Sequence, residues 1–180
     1  VTYVNIGMDL PVYTDTTEVS DPDSLLVLVS KYHYLPDGYE PTDLAYLDGY
    51  YGNSVPMREI IVEPFKELQA AAKEEIDVEF MPTTAYRGYS FQKTLYDNYV
   101  ASDGVSEADT YSARPGYSEH QTGLSTDLKN TALGSGIRLT DDDYDWLSNN
   151  AYRFGFIIRF PEDKTYITGY QFENWHIRYV

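Results

Sequence analysis

The sequence predicts a single α+β domain, and two observations carry that prediction. Segments with helical periodicity and segments with strand alternation mix along the chain, without the regular βαβ succession of a parallel fold. The chain has 180 residues, 42% of them hydrophobic and 23% charged, which suits one domain with a core of its own. Within it, residues 1–24 read as an N-terminal arm and 25–180 as the folded body.

Taken in order, residues 1–22 are polar and turn-rich, an extended arm laid on the domain. Asp21-Pro22-Asp23 and the apolar run over 24–29 fit either a short capped helix or a strand, and length does not choose between them. Residues 35–44 read as loop, with Pro36-Asp37-Gly38 as its turn. The clearest helical pattern lies between Asn53 and Glu74, where Ile60, Ile61, Phe65, Leu68, Ala71 and Ala72 recur at three- and four-residue steps. Pro56 and Pro64 each suit a first helical turn, so Pro64 either opens a second helix or kinks the first. Residues 78–82 alternate as a strand leading to a turn at Arg87. A further helix is expected over 90–100, capped by Ser90.

Arg114-Pro115-Gly116 is loop, and 124–128 alternate as a strand carrying Asp127. A helix follows Thr140, because Asp141, Asp142 and Asp143 favour a helix N-terminus. Its apolar face is Tyr144, Leu147, Ala151 and Phe154, and Gly155 ends it. Short strands are expected at 156–160 and 175–180.

Thirteen basic against 29 acidic residues give a net charge of −16 and a pI near 4.3. Phosphate backbones demand clustered Lys and Arg, so nucleic acid is excluded as a partner. An anionic membrane surface is disfavoured for the same reason. No run approaches about 18 apolar residues, so no membrane insertion is expected, and no basic-then-apolar leader is expected in this chain. Nineteen tyrosines are unusual; for most of them the expected role is packing plus surface.

Two of the three histidines lie in segments of one chemical character. These are Ser118-Glu119-His120-Gln121-Thr122-Gly123-Leu124-Ser125-Thr126-Asp127 and Glu173-Asn174-Trp175-His176. Two imidazoles and a carboxylate are good zinc ligands, and three protein ligands leave a fourth position for water. Zinc there lowers the pKa of bound water to about 7. A nearby base is still useful to carry the proton to a leaving amine, and Glu173 is the candidate. With no Cys, a structural Cys-rich zinc site is excluded, and no His-Glu-x-x-His helix motif is present. His33, without acidic or histidine neighbours in sequence, reads as structural.

The first segment, from Ala113-Arg114-Pro115-Gly116-Tyr117 on to Asp127, resembles the SxHxxGxxxD signature of zinc D-alanyl-D-alanine carboxypeptidases of the VanY type. Tyr86-Arg87-Gly88-Tyr89-Ser90-Phe91-Gln92 is similar to that family's Tyr-Arg-Ser-Tyr-x-x-Gln segment. Residues 154–161, 167–170 and 173–179 resemble its C-terminal third in order and spacing, and 28–44 its opening segment. The resemblance implies the zinc fold shared by lysostaphin-type, D-alanyl-D-alanine and hedgehog proteins, a small antiparallel sheet flanked by helices. It implies that His120, Asp127 and His176 bind zinc and that Glu173 is the general base and acid. It implies that Arg87 holds the scissile carbonyl or terminal carboxylate, and that Gln92 and Ser118 contact the substrate's last residue. Guanidinium suits a free carboxylate by charge and fork geometry. Gly88 stands where Ser is usual, Ser125-Thr126 where an apolar pair is usual, and Asn174 where Pro is common.

The expected activity is that of a D-alanyl-D-alanine carboxypeptidase, hydrolysis of the terminal D-Ala from peptidoglycan stem peptides by a monomer acting outside the cytoplasmic membrane, its anchor or signal not in this chain. Lacking a serine nucleophile, it would be blocked by chelators and indifferent to penicillin. The alternatives are an L,D-carboxypeptidase acting on tetrapeptide stems and a zinc-containing peptidoglycan-binding module without catalysis.

Overall fold

The computed structural model describes residues 13–180. Residues 1–12, half of the expected arm, lie outside the described residues. The described residues form two compact units, one comprising Pro41–Tyr86, Gly123–Arg159 and Asn174–Val180. The other comprises the described part of 1–40 with Arg87–Thr122 and Phe160–Glu173.

The first of these holds most of the sheet. Strands β3 (Leu44–Asp48) and β4 (Ser54–Arg58) form an antiparallel hairpin in which Tyr46 faces Pro56. The sequence reading placed the start of a helix here, and the structure corrects it. Pro56 turns its carbonyl away from β3 to accept from the amide of Tyr86, so its missing N–H costs the hairpin nothing. Helix α1 then runs over Glu59–Ile76 as one helix with Pro64 inside it. Pro64 cannot donate to the carbonyl of Ile60, a residue on the solvent side at 45% exposure, where water can take the bond. Ile61, Phe65, Leu68 and Ala72 are spaced four, three and four apart and are fully buried. Removing a ring such as that of Phe65 would cost about 3–5 kcal/mol.

The main sheet is antiparallel, in the order β5 (Phe80–Thr84), β6 (Ser125–Asn130), β8 (His176–Tyr179), β7 (Phe156–Ile158). All six residues of β6 are buried, as befits a strand paired on both edges. Helix α4 (Asp141–Asn150) starts with a capping box between Thr140 and Asp143, which matches the expected start. It ends at Asn150, and a 3-10 turn over Ala151–Phe154 carries the chain to Gly155. Gly155 has φ +79, and a Cβ there would lie 2.6 Å from the Tyr179 ring, so only glycine fits.

In the other unit, β1 (Thr17–Glu18) pairs parallel with β2 (His33–Tyr34). The later part of the expected arm is thus a paired strand. Residues 24–29 form neither helix nor strand: Val27 and Val29 are buried while Leu26 and Leu28 are exposed, which satisfies the apolar run without a ladder. The Pro36-Asp37-Gly38 turn forms as expected, closed by the Tyr39 amide on the Pro36 carbonyl. Helix α2 (Tyr89–Asp103) is capped at Gly88 with no side-chain bond, not at Ser90. Helix α3 (Val105–Tyr111) and the short α5 (Thr165–Thr168) complete it. No helix among the described residues is long and apolar enough to cross a membrane.

Tyrosines do much of the packing in this unit. Tyr13 meets Tyr117 edge-on at 4.9 Å, and the Arg114 guanidinium lies 4.1 Å over its ring. Buried Asp109 accepts from Arg114 at 2.8 Å and from the Tyr96 hydroxyl at 2.8 Å. Buried Lys31 donates to the carbonyls of Asp109 and Gly169, each at 2.5 Å, and its burial pulls its pKa down to about 8. This network fixes both ends of the loop that leads to Ser118 and His120.

Candidate active site and metal centre

Asp127 and His176 are paired by strand register. Asp127 on β6 lies directly opposite His176 on β8 and, on its other edge, opposite Thr84 of β5. Directly opposed residues project to one face of a sheet, so the pairing alone sets the carboxylate beside the imidazole. His176 Nδ1 and Asp127 Oδ1 are 3.2 Å apart, with both side chains buried. The other Asp127 oxygen lies 3.4 Å from Nη1 of Arg138.

His120 sits in a 3-10 turn, Glu119–Thr122, in which every residue is buried. The turn is tied by the Gln121 amide on the Ser118 carbonyl at 3.1 Å and by the Thr122 hydroxyl on the Glu119 carbonyl at 2.6 Å. Gly123 follows with φ +67, and a Cβ there would come 3.0 Å from the Arg58 side chain. A glycine at this place in the motif is therefore required by backbone and space together.

His120, Asp127 and His176, all three buried, are a group of residues that could hold a metal ion. The trio fits a zinc ion by chemistry, and its Asp127–His176 pair fits by spacing as well. Ligands about 2.0–2.1 Å from a tetrahedral zinc stand about 3.3 Å from one another, which is close to the 3.2 Å between His176 and Asp127.

The remaining residues picked out by the sequence are placed as follows. The Arg87 amide donates to the His120 carbonyl at 3.2 Å, which ties the start of α2 to the ligand turn. Gly88, between them, has φ −68 and ψ 163, so the departure from Ser introduces no special backbone. Gln92 is 1% exposed and donates to the Ala113 carbonyl at 2.7 Å, bracing the loop that ends in Ser118. Its Oε1 is buried with no hydrogen-bond partner among the described residues. Ser118 is buried at the head of the ligand turn. Glu173 is half-buried, and its amide donates to the Phe160 carbonyl at 3.0 Å, anchoring the backbone ahead of β8. Asn174 donates to the Leu139 carbonyl and the Thr126 hydroxyl to that of Thr84, whereas the buried Ser125 hydroxyl has no hydrogen-bond partner among the described residues. His33 bonds Ser30 through Nδ1 at 3.1 Å. Arg138 and Thr83, which contact Asp127, belong to no sequence motif; only the sheet register and the course of the 131–139 segment bring them there.

Two buried imidazoles and one buried carboxylate on an α+β frame are the donor set of a three-ligand, open-position metal site. Comparison with known proteins gives the particular family. The D-alanyl-D-alanine carboxypeptidase family VanY matches residues 54–180. A putative carboxypeptidase, YodJ of Bacillus subtilis, is 37% identical over 172 residues, covering 90% of this chain and 62% of the relative. This chain therefore spans less than two thirds of that protein's length. Among solved structures, the LdcB LD-carboxypeptidase superposes with a TM-score of 0.80 at 35% identity, covering 96% of this chain and 84% of that one. A mutant of the vancomycin-resistance D,D-pentapeptidase VanY from a VanB-type cassette, in complex with Zn(II), gives 0.72 at 36% identity, covering 86% and 87%. The chain belongs to the VanY family, and it shares its fold with the zinc-bound VanY structure.

Proposed function

We propose that the protein is a zinc carboxypeptidase that releases the terminal D-Ala from peptidoglycan stem peptides. The observation that carries the reading is the buried His120, Asp127 and His176 trio in a chain of this family. Its zinc, when bound, would activate a water and polarise the scissile carbonyl. Glu173 receives the proton that the attacking water gives up and returns it to the departing D-Ala amine. Arg87 pairs with the free terminal carboxylate, the feature that distinguishes a carboxypeptidase substrate from an internal peptide. Its backbone bond to His120 ties the main chain of Arg87 to the ligand turn. Ser118 and Gln92 support the pocket for the terminal residue, Gln92 by holding the Ala113 carbonyl. A substrate of this kind puts the enzyme outside the cytoplasmic membrane.

The residue before the scissile bond separates two readings. The D,D reading, expected from the motifs, has the family description and the VanY likeness behind it. The L,D reading has the likeness of higher TM-score and higher coverage of this chain, to the LdcB LD-carboxypeptidase, and is the one we place first. Mass spectrometry of zinc-loaded protein incubated with muramyl pentapeptide and with tetrapeptide separates them. Release of one D-Ala from the tetrapeptide alone supports L,D, release from the pentapeptide alone supports D,D, and no chelator-sensitive release from either refutes both.

A further inference from the structure

The geometry points to Arg138, with Thr83, as a clamp that restricts Asp127 to donating a single oxygen to the metal. The inference rests on the zinc reading above and deepens it. Asp127 has two oxygens with different neighbours: Oδ1 lies 3.2 Å from His176 Nδ1, on the ligand side. Oδ2 lies 3.4 Å from Arg138 Nη1. The same Nη1 donates to the Thr83 hydroxyl at 3.2 Å, and that hydroxyl donates to the Asp127 backbone carbonyl at 3.2 Å. Arg138 and Thr83 therefore hold the aspartate at its side chain and at its backbone.

Arg138 is itself restrained. Its guanidinium lies 4.9 Å over the Trp175 ring, and its carbonyl accepts from the Asn130 amide at 2.9 Å. The segment before it is pinned by buried Lys129, which donates to the carbonyls of Gly134 and Ile137.

The chemical consequence follows from the open position. A carboxylate free to rotate can give both oxygens to a metal and fill the place a water must take. A cation fixed on Oδ2 opposes that rotation and draws charge from the ligand. Partners of metal ligands typically matter by about 10–100-fold in affinity or activity. Arg138 is a positioning residue here, with no contact to substrate required.

The test is the visible absorption spectrum of the cobalt-substituted protein, in wild type, Arg138→Met and Thr83→Val. The wild type should show the strong bands of a four-coordinate site. Arg138→Met should lose intensity toward a five-coordinate spectrum, with kcat of the zinc form down about 10-fold or more and KM unchanged. Thr83→Val should move in the same direction by less. An Arg138→Met spectrum identical to wild type, or a raised KM with an unchanged spectrum, overturns the clamp. Should Arg138→Met fail to fold, an unchanged Thr83→Val spectrum overturns it instead. A wild type that binds neither cobalt nor zinc sinks the zinc reading itself, a separate result.

Discussion

Replacing His176 with alanine removes the ligand that β8 sets opposite Asp127 and leaves His120 and Asp127 behind. Complete zinc sites of four ligands are worth about 10–16 kcal/mol, so one ligand contributes about 3 kcal/mol and its loss weakens binding by about 100-fold or more. At free zinc 100 times the wild-type Kd, linkage stabilises the wild type by about 2.7 kcal/mol. For a chain of 180 residues, that corresponds to a rise in Tm of about 5–11 °C. The variant, now at or below half saturation, gains at most about 0.4 kcal/mol, or about 1 °C. The assay is thermal unfolding by circular dichroism, with chelator and with zinc, so that each protein serves as its own reference. That comparison cancels any cost of the lost imidazole to the metal-free fold. An equal zinc-dependent rise in wild type and His176→Ala would refute the reasoning, since the metal would then sit on other residues.

The other expectations concern chemistry and packing. Glu173→Ala should lower kcat at least about 100-fold while zinc content, measured by elemental analysis, stays at wild-type level. Arg87→Ala should reduce kcat/KM by about 10–100-fold, the value of a hydrogen-bonded charge, and Arg87→Lys should recover only part of it in the same steady-state assay. Lys31 has a folded pKa of about 8 against 10.5 when unfolded. Unfolding therefore takes up a proton between those values, and stability gains from this residue as pH rises through that window. Denaturant melts at pH 7.5 and pH 9.5 should show that gain in wild type and lack it in Lys31→Met. Thr140→Ala removes the capping box of α4, and should lower Tm by a few degrees, for about 1 kcal/mol, with activity unchanged.

Much of the site was legible because its chemistry and its local backbone coincide in sequence. His120 and Gly123 are three residues apart because one 3-10 turn ends in a left-handed glycine, and the strand carrying Asp127 follows at once. The pairing of Asp127 with His176 could be expected from the motifs alone, but their closeness comes from a β6–β8 register that no local pattern encodes. The hairpin β3–β4 was hidden by Pro56, a strand breaker tolerated here because its nitrogen faces away from the partner strand. Helix α3 was missed because seven residues after Gly104 carry too little periodicity to read. The run 24–29 looked regular because alternate residues are buried, although the segment has no ladder. Arg138 was invisible for a related reason: it stands 11 positions beyond Asp127, in a glycine- and serine-rich stretch that Lys129 folds back.

The most direct test of the metal centre is X-ray diffraction from crystals of the zinc-loaded protein, with data collected above and below the zinc absorption edge. The account predicts one strong anomalous difference peak whose only protein ligands are His120, one oxygen of Asp127 and His176. A peak bound elsewhere, or no peak in protein shown to have been loaded, would contradict it.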